Sequence, residues 1–169
     1  PSWSIKDSYA MFNLTPLGFD VLFKANWIWR EPHQNILRTD SSLQWSRVTA
    51  SEELMQWEAV WRGNSENMHL RQFPPQLLEN PDFSFFMAKH YGKIVAGGIA
   101  NRSPGVIGIS NIFSLDSYPI NIWPGLIDLV ASQNPNQPLV GYEHGTDLEL
   151  AKEVGFIPIG QLTLWNKWH

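Results

Sequence analysis

Residues 83–114 read FSFFMAKHYGKIVAGGIANRSPGVIGISNIFS: three strand-like runs and two turns. The first run, 83–91, is rich in aromatics, and Gly92-Lys93 marks a turn. The second, 94–100, is almost wholly apolar; residues 101–105 hold the next turn, with Pro104-Gly105 as its punctuation. The third, 106–113, mixes apolar and small residues. Strands bounded by Gly, Pro, Asn and Ser clusters are the signature of an antiparallel meander.

Outward from the meander the chain alternates helix and strand patterns. Upstream, 19–29 (FDVLFKANWIW) and 43–48 read as strands, and residues 1–12 as an irregular arm. Thr49 with Glu52 has the spacing of a capping box. Leu54, Trp57 and Trp61 then fall on one helical face before Gly63. A short helix follows Pro74-Pro75. Downstream, Asn121 caps a helix with Pro124 in its first turn and Ile122, Leu126 and Val130 in its stripe. A strand at 139–143 follows, then a second capping box, Thr146 with Glu149, opening a helix that stops at Gly155. The last strand, 156–168, carries Gly160 as a bulge or turn.

The chain has 169 residues, enough for one domain with a real core. Its net charge of -4 argues against phosphate-neutralising nucleic-acid binding and against a polybasic membrane surface, so neither nucleic acid nor membrane is an expected partner. There is no cysteine, which removes disulfides, thiolate nucleophiles and cysteine-ligated metals. No apolar run approaches the ~20 residues that span a bilayer. Lys6 and Asp7 stand where a secretory signal would be apolar, and the expected setting is the cytoplasm. The nine tryptophans serve packing or an aromatic groove for a ligand.

From residue 43 the order is strand, helix, short helix, meander, helix, strand, helix, strand. This resembles the GCN5-related N-acetyltransferase (GNAT) superfamily over roughly 43–168. Its local marks are Gly92-Lys93-Ile94-Val95-Ala96-Gly97-Gly98, which looks like the family's turn into its third strand, and Ala151-Lys152-Glu153-Val154-Gly155-Phe156, similar to the end of its final helix. GQLTLW at 160–165 looks like its terminal strand. Gly141, Tyr142, Glu143, Gly145, Asp147 and Leu148 are similar to an uncharacterised bacterial branch. The resemblance implies an α/β (α+β) fold, with a mixed, mostly antiparallel central sheet flanked by helices. Residues 1–42 would be an N-terminal strand extension packed on the core, and 43–169 the acyltransferase domain.

The resemblance also implies acetyl-coenzyme A as co-substrate. Its pantetheine arm would pair with the strand at 108–114, against Ile112, Phe113 and Ser114. Its pyrophosphate would meet the start of the following helix, at Trp123 and Gly125. Here the chain departs from the family's glycine-rich phosphate loop. Residues 118–125 hold one glycine, no Lys or Arg, and two prolines that donate no N–H.

Acetyl transfer to an amine needs a base, oxyanion donors and an acid for the leaving thiolate. The resemblance points to Glu143 as base, Tyr118 as acid and Asn111 as a substrate or oxyanion contact, with His144 and Tyr142 beside the substrate. Plainer roles are a solvated carboxylate for Glu143, a loop histidine for His144 and a bulge residue for Asn111. The histidines have no metal-ligand spacing, and no metal is expected. There is no G-x-S-x-G elbow and no G-x-G-x-x-G loop. Two functions follow. One is an N-acetyltransferase-like protein acting on a small-molecule or peptide amine. The other is a GNAT-shaped binding or interaction module that does not bind acetyl-coenzyme A. A third expectation is a homodimer formed through residues 1–42.

Overall fold

The computed structural model describes residues 2–35, 42–63, 71–115 and 121–168. They form eight strands and three α-helices: β1 (Trp3–Asp7), β2 (Asp20–Arg30), β3 (Gln44–Arg47), α1 (Ser51–Trp61), β4 (Phe83–His90), β5 (Lys93–Ser103), β6 (Val106–Ser114), α2 (Trp123–Gln133), β7 (Leu139–Glu143), α3 (Gly145–Glu153) and β8 (Ile157–Lys167). Short 3-10 turns lie at Thr15–Leu17 and Pro75–Leu78. The chain divides into two compact units, one of Pro1–Arg30 with Val140–His169 and one of Glu31–Leu139.

The second unit contains the meander, with strand order β6-β5-β4-β3 and antiparallel pairing throughout. Its first turn is Tyr91-Gly92, both at positive φ (47° and 76°). That two-residue geometry matches the twist of a hairpin. The second turn is tighter than expected: β5 runs on to Ser103, and Pro104-Gly105 alone makes the reversal, with Gly105 at φ 83°. Proline supplies the fixed φ of the first corner and glycine the positive φ of the second.

Alternation gives the meander two apolar faces. One packs Phe85, Met87 and Ile99 with Leu54 and Trp57 of α1; the other gathers Leu43, Ala88, Val95, Ala96 and Ile122. The adjacent glycines of β5 serve one helix each. A Cβ on Gly97 would collide with the Trp57 indole, the Phe86 carbonyl and the Phe113 ring, and one on Gly98 would meet Leu126 of α2 at 2.8 Å. Trp57 Nε1 donates to the Phe86 carbonyl at 2.8 Å, so α1 is tied to the sheet at the place where β5 is bare. The buried Glu58 on the same helix accepts from Arg71 Nε at 2.8 Å and the Gln72 N–H at 2.6 Å, and pairs with Arg62. Burial pushes its carboxyl up, but the Gln72 N–H and the two arginines outweigh that and hold it below the usual range.

Two capping expectations need correction. In α1 the N-cap is Ala50, not Thr49, and Glu53 rather than Glu52 takes the Thr49 N–H, at 3.4 Å. In α3 the N-cap is His144, and Glu149 pairs instead with Lys152 at 2.8 Å. In both, the helix starts where the preceding strand delivers the chain, and side-chain spacing does not override that. The expected Asn121 cap also moves: the N-cap of α2 is Ile122, and the Asn121 Oδ1 accepts the Trp123 N–H at 3.1 Å from one residue further out.

The first unit has the order β1-β8-β2-β7. Here the reading of residues 1–12 as irregular fails over 3–7. Trp3–Asp7 is a strand, paired antiparallel with β8 from Trp3↔Lys167 to Asp7↔Thr163. Four of its five side chains are exposed, so no apolar alternation announced it; its backbone pairing with β8 makes it a strand. β2 pairs with the other side of β8, from Asp20↔Asn166 to Trp29↔Ile157. The register slips between Trp27↔Gly160 and Ile28↔Pro158, which leaves Ile159 as the extra residue of a bulge beside Gly160. Arg30 at the end of β2 is buried, and its Nε donates to the Val154 carbonyl behind α3 at 2.7 Å.

Gly97→Ala is expected to lower stability by about 1–3 kcal/mol, the usual cost of overpacking a filled core. A urea titration would read it as a lower midpoint, and an unchanged midpoint would refute the packing account of Gly97.

Candidate functional site

β7 ends on Tyr142-Glu143, and His144 continues extended (φ −144°, ψ 168°) before α3 begins. Successive side chains of extended backbone point to opposite faces. Tyr142 and His144 therefore share one face and Glu143 takes the other. On the shared face, Phe23 of β2 lies against both, with ring centroids 6.5 Å from Tyr142 and 5.2 Å from His144. Trp27, two positions short of Trp29 on the same strand, meets Tyr142 edge-on at 5.6 Å. The Lys6 ammonium of β1 sits 4.4 Å from the Tyr142 centroid and 5.7 Å from that of Trp27, a cation over two rings. Trp27 is held in place by its own Nε1, which donates to the Ser8 carbonyl at 2.8 Å.

Glu143 is half-buried, and its carboxyl is pushed up to about 7. Burial is the larger cause, and the negative charge of Asp147, one turn into α3, adds to it. No hydrogen bond from the described residues offsets either effect, so the carboxylate is destabilised relative to the acid. The sequence places Asp147 four residues after Glu143, but only the strand-to-helix corner turns that spacing into proximity.

The remaining candidates lie in the other unit. Asn111 is exposed and left-handed at φ 51°, with its Nδ2 donating to Ser110 Oγ at 3.1 Å. It sits at a bulge: β5 advances two residues from Gly97 to Ile99 while β6 advances three from Phe113 to Ser110. Asparagine tolerates that conformation better than most side chains, and bulges re-aim a strand's groups. Beyond it Ile112 packs on the Leu43–Ile122 cluster, Phe113 stands edge-on to Trp57 at 5.1 Å, and Ser114 is exposed. Trp123 is 1% exposed, a core residue, and the open side of Gly125 is filled by the Trp45 ring. Tyr118 falls outside the described residues. Thus Tyr142 and His144 share one aromatic cluster, Glu143 is their chain neighbour on the opposite face, and Asn111, Ile112, Phe113, Ser114, Trp123 and Gly125 belong to the second unit.

Three contributors were not anticipated. Phe23 and Trp27 were legible, since they fall at i and i+4 of a strand already recognised by its aromatics. Lys6 was not, because its strand was invisible. Among the described residues no group of His, Asp and Glu could hold a metal ion, and no helix is long and apolar enough to cross a membrane.

No family model matches the chain, and neither does any curated protein. Solved structures do. A conserved protein of unknown function from Staphylococcus epidermidis superposes with a TM-score of 0.73 at 13% identity, over 98% of this chain and 71% of its own. A GCN5-related N-acetyltransferase from Kribbella flavida gives 0.66 at 16% identity, over 92% of this chain and 62% of its own. The chain has the GNAT fold. A tandem GNAT protein from the clavulanic acid biosynthesis pathway gives 0.64 at 8% identity, with the same 62% of its length spanned. At these identities the likeness is one of fold, and the activities named belong to those proteins. The expected fold class, mostly antiparallel strands flanked by helices, is the one observed.

The elevated Glu143 pKa has a signed consequence for stability. The unfolded carboxyl ionises near its ordinary 4.5 and the folded one near 7, so the folded state holds the proton longer. Stability is therefore lost as pH rises from about 4.5 through about 7. Glu143→Gln is expected to match the natural protein's stability at pH 4 and exceed it at pH 8 by on the order of 1–3 kcal/mol, seen as a higher melting temperature at pH 8 only. Thermal melts across that range check this, and a gap independent of pH would contradict it.

Proposed function

We propose that the protein is a GNAT-type N-acyltransferase that moves acetyl from acetyl-coenzyme A to an amine, with Glu143 taking the amine's proton. The observation that carries this reading is the carboxyl at the end of β7 with a pKa of about 7. An amine arrives at neutral pH largely as its ammonium and must lose a proton before its nitrogen attacks the thioester carbonyl. A carboxylate of ordinary acidity is a poor acceptor for that proton. One that titrates near the working pH is both partly ionised and basic enough to take it. The new C–N bond forms, the C–S bond breaks, and the departing thiolate gains a proton, for which Tyr118 is the proposed donor. Tyr142 and His144 face Phe23 on the other side of the strand from the Glu143 carboxyl, so they are left out of the contacts proposed for the reacting amine.

The co-substrate is supported at one end. The bulge at Asn111 takes a residue out of the β5–β6 ladder and frees backbone groups that an extended pantetheine arm can use. At the other end the described residues 121–125 do not form a phosphate cradle. Asn121 already accepts the Trp123 N–H, Pro124 has none to give, and Trp45 covers Gly125. That observation favours the second reading, a GNAT-fold binding module without acetyl-coenzyme A.

Calorimetric titration with acetyl-coenzyme A separates the two. Under the first reading one equivalent binds, and thermal stability rises by about 2.7 kcal/mol at a hundredfold excess over Kd. Absence of heat and of a thermal shift at millimolar ligand would sink it. With an amine panel as acceptors, kcat/KM is expected to rise with pH to a plateau above about 7, and Glu143→Gln to lower it roughly 10²–10⁴-fold and abolish the rise.

A further inference from the structure

β8 is longer than its edge partner. β1 pairs with it only over Thr163–Lys167 and stops at Asp7. There the Asp7 carboxylate accepts the N–H groups of Tyr9 (3.3 Å) and Phe12 (2.8 Å) and turns the chain away, with Ala10 at φ 50°. From Gln161 back to Ile157 that side of β8 has no strand partner among the described residues. All five residues are exposed, including Ile157 (57%) and Ile159 (58%).

A cavity of about 490 Å³ opens in this notch, lined by Ser8, Tyr9, Trp27, Ile159, Gly160 and Gln161. Its size is that of a ligand pocket rather than a packing defect. Trp27 is its fixed aromatic surface, locked by the bond to the Ser8 carbonyl. Gly160 stands opposite Trp27 in register, and a Cβ there would meet nothing within 4 Å. A glycine inside a strand next to open space, beside a bulge, leaves bare backbone facing whatever enters. Beside Trp27 the Lys6 ammonium lies over the rings without a carboxylate partner among the described residues.

We propose that this notch binds an extended peptide by strand addition to residues 157–161 of β8, seating one aromatic or large apolar side chain in the cavity against Trp27 and Tyr9. Three features select a peptide. Unpaired strand backbone is satisfied by another extended backbone, with alternate side chains read by pockets. The free edge is five residues long, the span of a short bound strand. Backbone N–H groups alternate between the two edges of a strand, so only some of residues 157–161 can donate to the added peptide, and Pro158 supplies none, which narrows the register. Lys6 adds a preference for an acidic residue next to the seated side chain. The site lies wholly within the first unit and its binding needs no acetyl-coenzyme A, so it stands or falls separately from acetyl transfer.

The test uses a fluorescein-labelled six-residue peptide with a central phenylalanine between valines and one glutamate beside them. Two counterparts carry serine for phenylalanine, or N-methyl groups on alternate amides. Fluorescence anisotropy without acetyl-coenzyme A is expected to show saturable binding, weakened at least tenfold by either change. Gly160→Trp fills the cavity without entering a strained backbone region, and is expected to weaken binding at least tenfold with an unchanged melting curve. If it also lowers the melting temperature, the exposed Ile159→Asp replaces it, with the same expected loss. Hydrogen exchange at Ile159–Gln161 should slow on binding. The proposal is overturned by no binding at millimolar peptide, by equal binding of the three peptides, by indifference to both substitutions, or by full displacement with phenethylamine at the peptide's own affinity, which would mark a small-molecule pocket.

Discussion

The Trp57 indole reaches the Phe86 carbonyl because Gly97 has no side chain. Much of the second unit depends on that contact. It brings α1 onto the sheet, so that Phe73, Phe85 and Phe113 can pack edge-on around one ring. It also satisfies a buried indole N–H that would otherwise cost roughly 1–3 kcal/mol. On the opposite face Gly98 gives Leu126 the same freedom. Two neighbouring glycines in a central strand weaken it as a strand, and the helices they admit more than offset that.

In the first unit the corresponding constraint is pairing. β8 must satisfy backbone groups on both sides, and it does so with two segments from the other end of the chain. Both candidate features of this unit lie where a strand ends. Where β1 runs out, β8 keeps an edge unpaired among the described residues, and a cavity beside it. Where β7 gives way to α3, Glu143 and Asp147 come close, and no cation among the described residues offsets the Glu143 charge. The pKa of about 7 is a result of that corner, not of any property of the GYE run itself.

Legibility in the sequence followed burial. The meander, α1 and α2 were readable because their apolar residues repeat at the period of the element, as in Leu54–Trp57–Trp61 and Ile122–Leu126–Val130. β1 was not readable: an edge strand with four exposed side chains carries no alternation, and only its partner declares it. The capping boxes had the right spacing but the wrong start, because the N-terminus of a helix is fixed by where the preceding strand ends. Among site residues, Glu143 could be picked out from its place at a strand end. Phe23, Trp27 and Lys6, which surround Tyr142 and His144 on the other face, are more than a hundred residues away in sequence, and no local pattern links the two sets.

The sequence by itself determined the strands of the meander and their order, the stripes of two helices and the GNAT resemblance, because each rests on local chirality, turn chemistry and hydrophobic period; the turns themselves proved to be Tyr91-Gly92 and Pro104-Gly105. Only the tertiary structure decided three things: that Trp3–Asp7 is a strand, that Trp123 and Gly125 are occupied by packing, and that Glu143 titrates near neutrality. Each depends on which groups are brought together across long stretches of chain, and burial and Coulomb interactions act through space whatever the separation in sequence.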